Sequence, residues 1–506
     1  MSTEEKREND ANMSVDTNDN ILEKRIVRKT DFFLLPILIT INLLGIIDLN
    51  NIGNATVAGY NYIYFKTTPY YFTLAISAHF LSYIIFTTPS CLITNILGFH
   101  VWMPILIVGW TAASMSQAAC TSVVQLGIVR FILGMFEAGF PPSNTAYIGL
   151  FYARKELTFR YSIFMVITTI SGALSGFVSY FILQISGTSL TGFQWLFIIE
   201  NIPTIFLALI IAIFVTRGPG DARFFTPEER EFAVERLKSE GGPTKRVDRD
   251  LAKAQIKLTF ADIQTYFYFF IVLISAIPNF VLNFYLPTLV NQLGYDAIQA
   301  QLMVIPPILV STVVTTFNSW CSDRYNTRAW NILIGYSFSI IALVGMIATR
   351  ADDPSLYKLR YFFLILLACG AYSVLPILFS WCICNNLGQY KRSTALAMIF
   401  TSAQMGGIVG ILIYPANDAP SFLMGNSICL ASVILSAILV TVLKFYLESL
   451  NKKRDLIILA NHDYKLNDND LKYNNRISEI AMSLVEKEPK FDEVLCDKHL
   501  NWRYIT

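Results

Sequence analysis

Arg130 and Glu137 lie seven residues apart inside one long apolar stretch, RFILGMFEAG (130–139). Seven residues is close to two turns of α-helix, so both side chains fall on one face. Gly134 lies between them on that face and leaves room for another group to approach the backbone. A charge at mid-membrane costs about 2.5–3.5 kcal/mol even on the most permissive insertion scale. A charged pair on one stripe therefore predicts a helix that faces a wet cavity. Two chemistries suit the pair. One is structural, an Arg–Glu bridge knitting helices together. The other is a cation that anchors an anion beside a carboxylate that gains and loses a proton, the core of a coupled transporter.

The elements that must hold this pair are membrane spans. The chain has 506 residues, 54% hydrophobic and only 15% charged, against about 25% charged in soluble domains. Its partner is thus a lipid bilayer. A net charge of +2 says nothing about partners, and no basic patch interleaved with aromatics points to nucleic acid. The first thirty residues are polar with no apolar h-region, so no cleaved signal is expected. Apolar segments long enough to cross a bilayer run near 31–53, 71–97, 103–122, 125–149, 161–185 and 194–216. Six more follow near 264–290, 301–320, 330–349, 359–386, 394–414 and 424–447. This predicts an all-α integral membrane protein of twelve transmembrane helices in two six-helix halves, 31–216 and 263–447. A linker (217–262) joins them, and tails 1–30 and 448–506 flank them.

Lys and Arg gather in the N-tail, after the fourth span (Arg154, Lys155, Arg160), in the linker, after the eighth and tenth spans, and in the C-tail. Arg350, Lys358 and Arg360 are the exceptions. The positive-inside rule then places both termini and the linker in the cytoplasm. In the linker, Thr226-Pro227-Glu228-Glu229 reads as a capping box with proline at N1. It opens a polar helix through about Lys238, stopped by Gly241-Gly242-Pro243. Most of the eight cysteines fall in apolar segments and read as small hydrophobes, with no disulfide set. Cys382 and Cys384 are too few ligands for a metal site, and none of the four histidines forms an HExxH. No metal and no cofactor is expected. His79, in an apolar run, reads more readily as a packed, hydrogen-bonded residue than as a pore residue. Gly172/Gly176 on the fifth span and Gly406/Gly410 on the eleventh are GxxxG pairs that let backbones approach. Their matching places fit an internal repeat of six helices.

The stretches DLNNIGNA (48–55), RFILGMFEAGFPP (130–142), WLFIIENIP (195–203), FFTPEERE (224–231), SDR (322–324), WCICNNLGQYKRSTALA (381–397), NDAPSF (417–422) and NWRY (501–504) run through the chain in a fixed order. In them the chain resembles a fungal member of the allantoate permease family, among the anion:cation symporters of the major facilitator superfamily. The resemblance implies that Asp48 and Glu137 carry the coupling protons and that Arg130 holds the substrate anion. Elementary chemistry supports those roles. Burial disfavours the charged form of a carboxyl group, and a nearby guanidinium favours it. An anion arriving on that guanidinium therefore promotes protonation, and the two bindings reinforce each other. Asn385, Asn386 and Gln404 are the expected hydrogen-bond partners from the second half, with packing as the equal alternative for each. Asp323, Arg324 and Arg328 are expected to form the cytoplasmic gate.

Two positions depart from the family's pattern. Leu49 stands where relatives often place a basic residue, which leaves Arg130 as the one clearly placed pore cation. After the second span, LGFHVW (97–102) carries only His100 where relatives have a basic gating loop. Asn54-Ala55-Thr56 is a sequon too close to the membrane to be glycosylated. The expected function is proton-coupled import of a small organic anion, such as a nicotinate- or allantoate-like carboxylate, by a monomer at the plasma membrane. Protons are the coupling ion. The alternative is a nutrient sensor that kept the fold and lost transport; an enzyme is not expected.

Overall fold

The computed structural model describes residues 21–57, 69–153, 156–185, 190–238, 249–295, 299, 302–349, 353–414, 421–463 and 504–505. The regular elements among them are all helical. A short helix α1 (21–33) leads into α2 (Leu35–Val57), followed by α3 (Pro69–Leu97), α4 (Phe99–Ser116), α5 (Val123–Glu137), α6 (Phe140–Ile148) and α7 (Leu157–Leu183). Next come α8 (Gly192–Ile199), α9 (Ile202–Phe214), α10 (Pro227–Lys238) and α11 (Arg249–Ala261). The second half holds α12 (Ile263–Asn291), α13 (Ile305–Tyr325), α14 (Arg328–Ala348), α15 (Tyr357–Asn385), α16 (Gln389–Leu412) and α17 (Leu423–Asp463).

Nine helical segments among the described residues are long and apolar enough to cross a bilayer. Three others, α7, α13 and α16, are 27, 21 and 24 residues long, enough to span as well. Together they are consistent with twelve spans. All three lie where the two halves meet, so part of each faces protein rather than lipid. Across that seam α7 packs on α13 and α15, and α16 packs on α3 and α6. Within each half the pairings repeat six spans apart. The first span packs on the fifth (α2 on α7) as the seventh on the eleventh (α12 on α16), and the third on the sixth (α4 on α9) as the ninth on the twelfth (α14 on α17).

Lipid tails are as apolar as leucine, so close backbone packing rather than apolar burial must hold such helices together. On α9, Phe206, Leu209 and Ile213 face outward while Leu207, Ala208 and Ile211 are buried. The glycine pair of α16 shows the packing: a Cβ on Gly406 would lie 2.0 Å from the Leu273 carbonyl oxygen, and one on Gly410 2.9 Å from that of Ile277, both on α12. The surroundings of Gly172 and Gly176, and Arg154, Lys155, the sequon's side chains and Gly241–Pro243, lie outside the described residues.

The linker divides between the halves. The capping box forms, with Thr226 N–H donating to Glu229 Oε2 at 2.9 Å and Glu229 N–H to Thr226 Oγ1 at 3.3 Å. Lys29 reaches the same carboxylate at 2.7 Å, and Arg236 bridges Glu23 and Glu156, which ties α10 to the first half. Burial works against the charge on Glu229, but Lys29 and the Thr226 N–H outweigh it and hold its pKa below the usual carboxylate range. The sequence reading missed a second helix, α11, whose Leu251, Ala254 and Leu258 are buried at helical spacing. It serves the second half: Gln255 Oε1 accepts the Tyr390 N–H at 3.0 Å, and just beyond it Asp262 pairs with buried Lys391 at 2.7 Å.

On the same side, two asparagines seat the end of the chain. Asn451 and Tyr504 exchange two hydrogen bonds, and so do Asn385 and Ile505, at 2.9–3.0 Å. The Trp381 indole N–H adds a 2.6 Å bond to the Ile505 carbonyl.

Candidate functional site

Ser122 caps α5 by accepting the Gln125 N–H, and the helix buries Leu126, Arg130, Leu133 and Gly134 on one face. It stops at Glu137, because Gly139 and the prolines Pro141 and Pro142 break the span before α6 begins. Arg130 is 1% exposed, whereas Glu137, at the break, keeps some access. The space beside Gly134 belongs to a neighbouring helix: a Cβ there would lie 2.4 Å from the His79 carbonyl oxygen on α3. That close approach brings the His79 ring beside the stripe, with Nε2 3.7 Å from Glu137 Oε2. His79 is buried, and its Nδ1 has no hydrogen-bond partner among the described residues. It therefore stands beside the Arg130–Glu137 stripe and is not a satisfied packing residue.

Asp48, on α2, is buried and richly hydrogen-bonded. Ser114 and Asn201 donate to its Oδ1, the latter at 3.1 Å, and Asn51 lies at 3.4 Å. Asn201 also bonds Ser114 at 2.9 Å, so spans one, three and six meet at one carboxylate. The Arg130 charge acts on Asp48, His79 and Glu137 alike. Asp48 is nine residues from the end of α2 and Arg130 seven from the start of α5, which puts both roughly 10–14 Å below the face opposite the linker. Glu137 lies a further two turns down. The cluster thus runs inward along the axis of the first half.

From the second half, Gln404 on α16 faces the Tyr83 hydroxyl, and Tyr83 in turn lies within electrostatic reach of Glu137. Asn385 and Asn386 are not in this group. They close the linker-side end of α15, where Asn385 holds Tyr268 and Ile505, and Asn386 bonds the Cys382 carbonyl at 2.9 Å. Two adjacent asparagines at a helix end satisfy backbone groups that the helix no longer can. Asp323 and Arg328 pair at 2.5 Å, and the same carboxylate accepts the Thr158 and Phe159 N–H groups at the start of α7, across the seam. Arg324 is exposed, outside that knot. Leu49 is half-buried, one residue round α2 from Asp48.

Glu200 escaped the sequence reading. It stands with Asn201 in the gap between α8 and α9, where Pro203 prevents one continuous helix. The signal was available: an acid three residues before a proline within an apolar run.

The helical fold and the buried charged cluster are those of a membrane transporter. Residues 38–411 match the family model described as Major Facilitator Superfamily, and the chain belongs to that superfamily. Among curated relatives, the fungal "MFS transporter prlL" (Fungal sp., strain NRRL 50135) is 31% identical over 403 residues, covering 78% of this chain and 80% of that one. The "High-affinity nicotinic acid transporter" of Saccharomyces cerevisiae is 26% identical over 485 residues, covering 96% of this chain and 85% of that one. Among solved structures, a proton:xylose symporter of the same superfamily, XylE bound to 6-bromo-6-deoxy-D-glucose, superposes with a TM-score of 0.65 at 17% identity, over 80% of this chain and 94% of that one. The chain is a multi-pass membrane transporter, not an enzyme.

Proposed function

We propose that the protein is a proton-coupled importer of a small organic anion, a carboxylate of the nicotinate or allantoate kind, at the plasma membrane. The observation that carries this reading is a guanidinium buried inside the first half among two carboxylates and an imidazole. Arg130 is the anion's anchor. Glu137 and His79 share a transported proton, and Asp48 holds a second acidic position above them. When the anion occupies Arg130, the carboxylates lose their counter-charge and take up protons, so loading of either favours the other. Tyr83 and Gln404 link this event to the second half, and the halves 31–216 and 263–447 rock about the seam. The subfamily resemblance and the nicotinic acid transporter among the relatives support the substrate class. Both termini and the linker lie in the cytoplasm in this reading, and a monomer with no cofactor suffices.

The test is uptake of radiolabelled nicotinate, allantoate, pantothenate, biotin and a sulfonate in cells lacking their own permeases, in acidic and neutral medium, with and without a proton uncoupler. Uptake of one compound that is faster in acid and collapses with uncoupler is expected. Arg130→Ala should abolish its binding, and Glu137→Gln should stop accumulation while leaving exchange. No uptake of any compound by protein shown to be at the surface would sink the reading and favour the sensor.

A further inference from the structure

Glu200 is the buried acid that this mechanism leaves unused. It is 6% exposed, in the break of the sixth span, eight residues from the start of α8. That is roughly 12 Å below the face opposite the linker, level with Asp48 and Arg130. A broken helix inside a membrane is tolerated where its freed groups line a site. Ser179 donates to Glu200 Oε1 at 3.2 Å, and Oε2 has no hydrogen-bond partner among the described residues. An ionised carboxylate would leave a charged oxygen bare in low dielectric. A protonated one carries no charge there, so the missing partner costs less.

The groups packed around it are accounted for element by element. The fifth span offers the Ser179 hydroxyl, and the first offers Asn51 and the Asp48 carboxylate. The third offers Ser114 and Gln117, both engaged with Asn201 or with each other. The charged group acting on Glu200 is Asp48, whereas the Arg130 charge acts on Asp48. Asn51, whose amide nitrogen lies 3.4 Å from Asp48 Oδ1, also acts electrostatically on Glu200 and so neighbours both acids. Two buried acids that share this neighbour and are served by one guanidinium hold one negative charge comfortably, not two.

We propose that Glu200 is a second protonation site of the transport path, which holds a proton while Asp48 is ionised and is coupled to it through Asn51. Protonation of Asp48 removes the charge facing Glu200 and lets Glu200 release its proton as a carboxylate. The O–H bond lost at one acid is matched by the O–H bond gained at the other, with water of the outer solution as the acceptor or donor. The inference deepens the proton-coupled reading and rests on it for its place in transport, but the protonation itself does not.

Infrared spectroscopy of the full-length protein in lipid nanodiscs tests it without any substrate, by following the C=O stretch of protonated carboxyl groups between about pH 5 and about pH 9. The wild type should show such a band at neutral pH that Glu200→Gln lacks. Glu200→Asp should keep a band at a shifted frequency, which guards against loss through misfolding. Asp48→Asn should move the pH at which the band vanishes toward acid by about one unit or more, because the repelling charge is gone. A band unchanged in Glu200→Gln, or a Glu200 titration indifferent to Asp48→Asn, overturns the proposal. The uptake panel reads separately: proton-driven uptake with no Glu200 band removes this site alone, and a Glu200 band with no uptake removes the transport reading alone.

Discussion

Two corners of the seam do the same job with different chemistry. At one, the end of α13 meets the start of α7, and Asp323 accepts two backbone N–H groups of α7 while held by buried Arg328. At the other, the end of α3 meets the start of α16, and the equivalent place is filled by Asn95. Its side-chain oxygen accepts from Ser393 at 3.1 Å and Gln389 at 3.4 Å. The backbone follows the chemistry only partly. Three residues beyond each, the chain takes a positive φ, at Asn326 (53°) and at Gly98 (88°). The turn is present in both halves, but the charge in only one. A carboxylate at a helix N-terminus engages both the N–H groups and the dipole, and charge-assisted bonds contribute about 1.5–3 kcal/mol against about 0.5–1.5 for neutral ones. By that measure the Asp323 knot is the stronger of these two contacts.

The largest break in this asymmetry comes from Asp323→Asn, which removes the charge balancing Arg328. Stability should fall by about 3–5 kcal/mol, seen as a lower thermal midpoint in detergent, and a cysteine label placed near Thr158 should react faster. A midpoint within a degree of wild type would show that the two corners are equal after all. Asn95→Asp sharpens the comparison from the other side. A carboxylate there faces the first turn of α16 and should add about 0.5–1 kcal/mol, slowing that label and any measured uptake; faster labelling would mean that charge repels at this corner. The smallest effect concerns the linker. The folded pKa of Glu229 is depressed, so its tie to Lys29 contributes above the ordinary carboxylate pKa and is lost as pH falls through the depressed value. The loss should be under about 1 kcal/mol and confined to α10, visible as faster hydrogen exchange there in acid. Glu229→Gln should abolish that pH dependence.

What the sequence reveals here is what local rules govern. The span pattern, the Thr226 capping box and the Arg130–Glu137 stripe follow from hydropathy, capping and the helical period. The errors arise where a residue's meaning depends on a distant neighbour. Gly134 reads as room for another group to approach the backbone, and α3 is that group, but nothing near Gly134 in the chain says which element it is. His79 reads as packing because its partner, Glu137, is two spans away. Asn385 and Asn386 read equally as hydrogen-bond partners for the substrate and as packing residues, and nothing local decides; they lie at the span's end and serve Tyr268 and backbone groups. Arg324 shares a tripeptide with Asp323, but the helix turns it outward. Glu200 and α11 were legible, the first from Pro203 and the second from its buried spacing.

The seat of the last residues has a practical consequence. The Ile505 backbone is held on Asn385 and Trp381, and Tyr504 on Asn451, so the chain's end is part of the packed structure beneath α15 and α17. A fluorescent or affinity tag fused after Thr506 begins two residues past Ile505 and must pull against that seat. Silence from such a fusion reports on the tag. A label at the other end of the chain, read beside it, separates a protein that cannot transport from one whose terminus has been unseated.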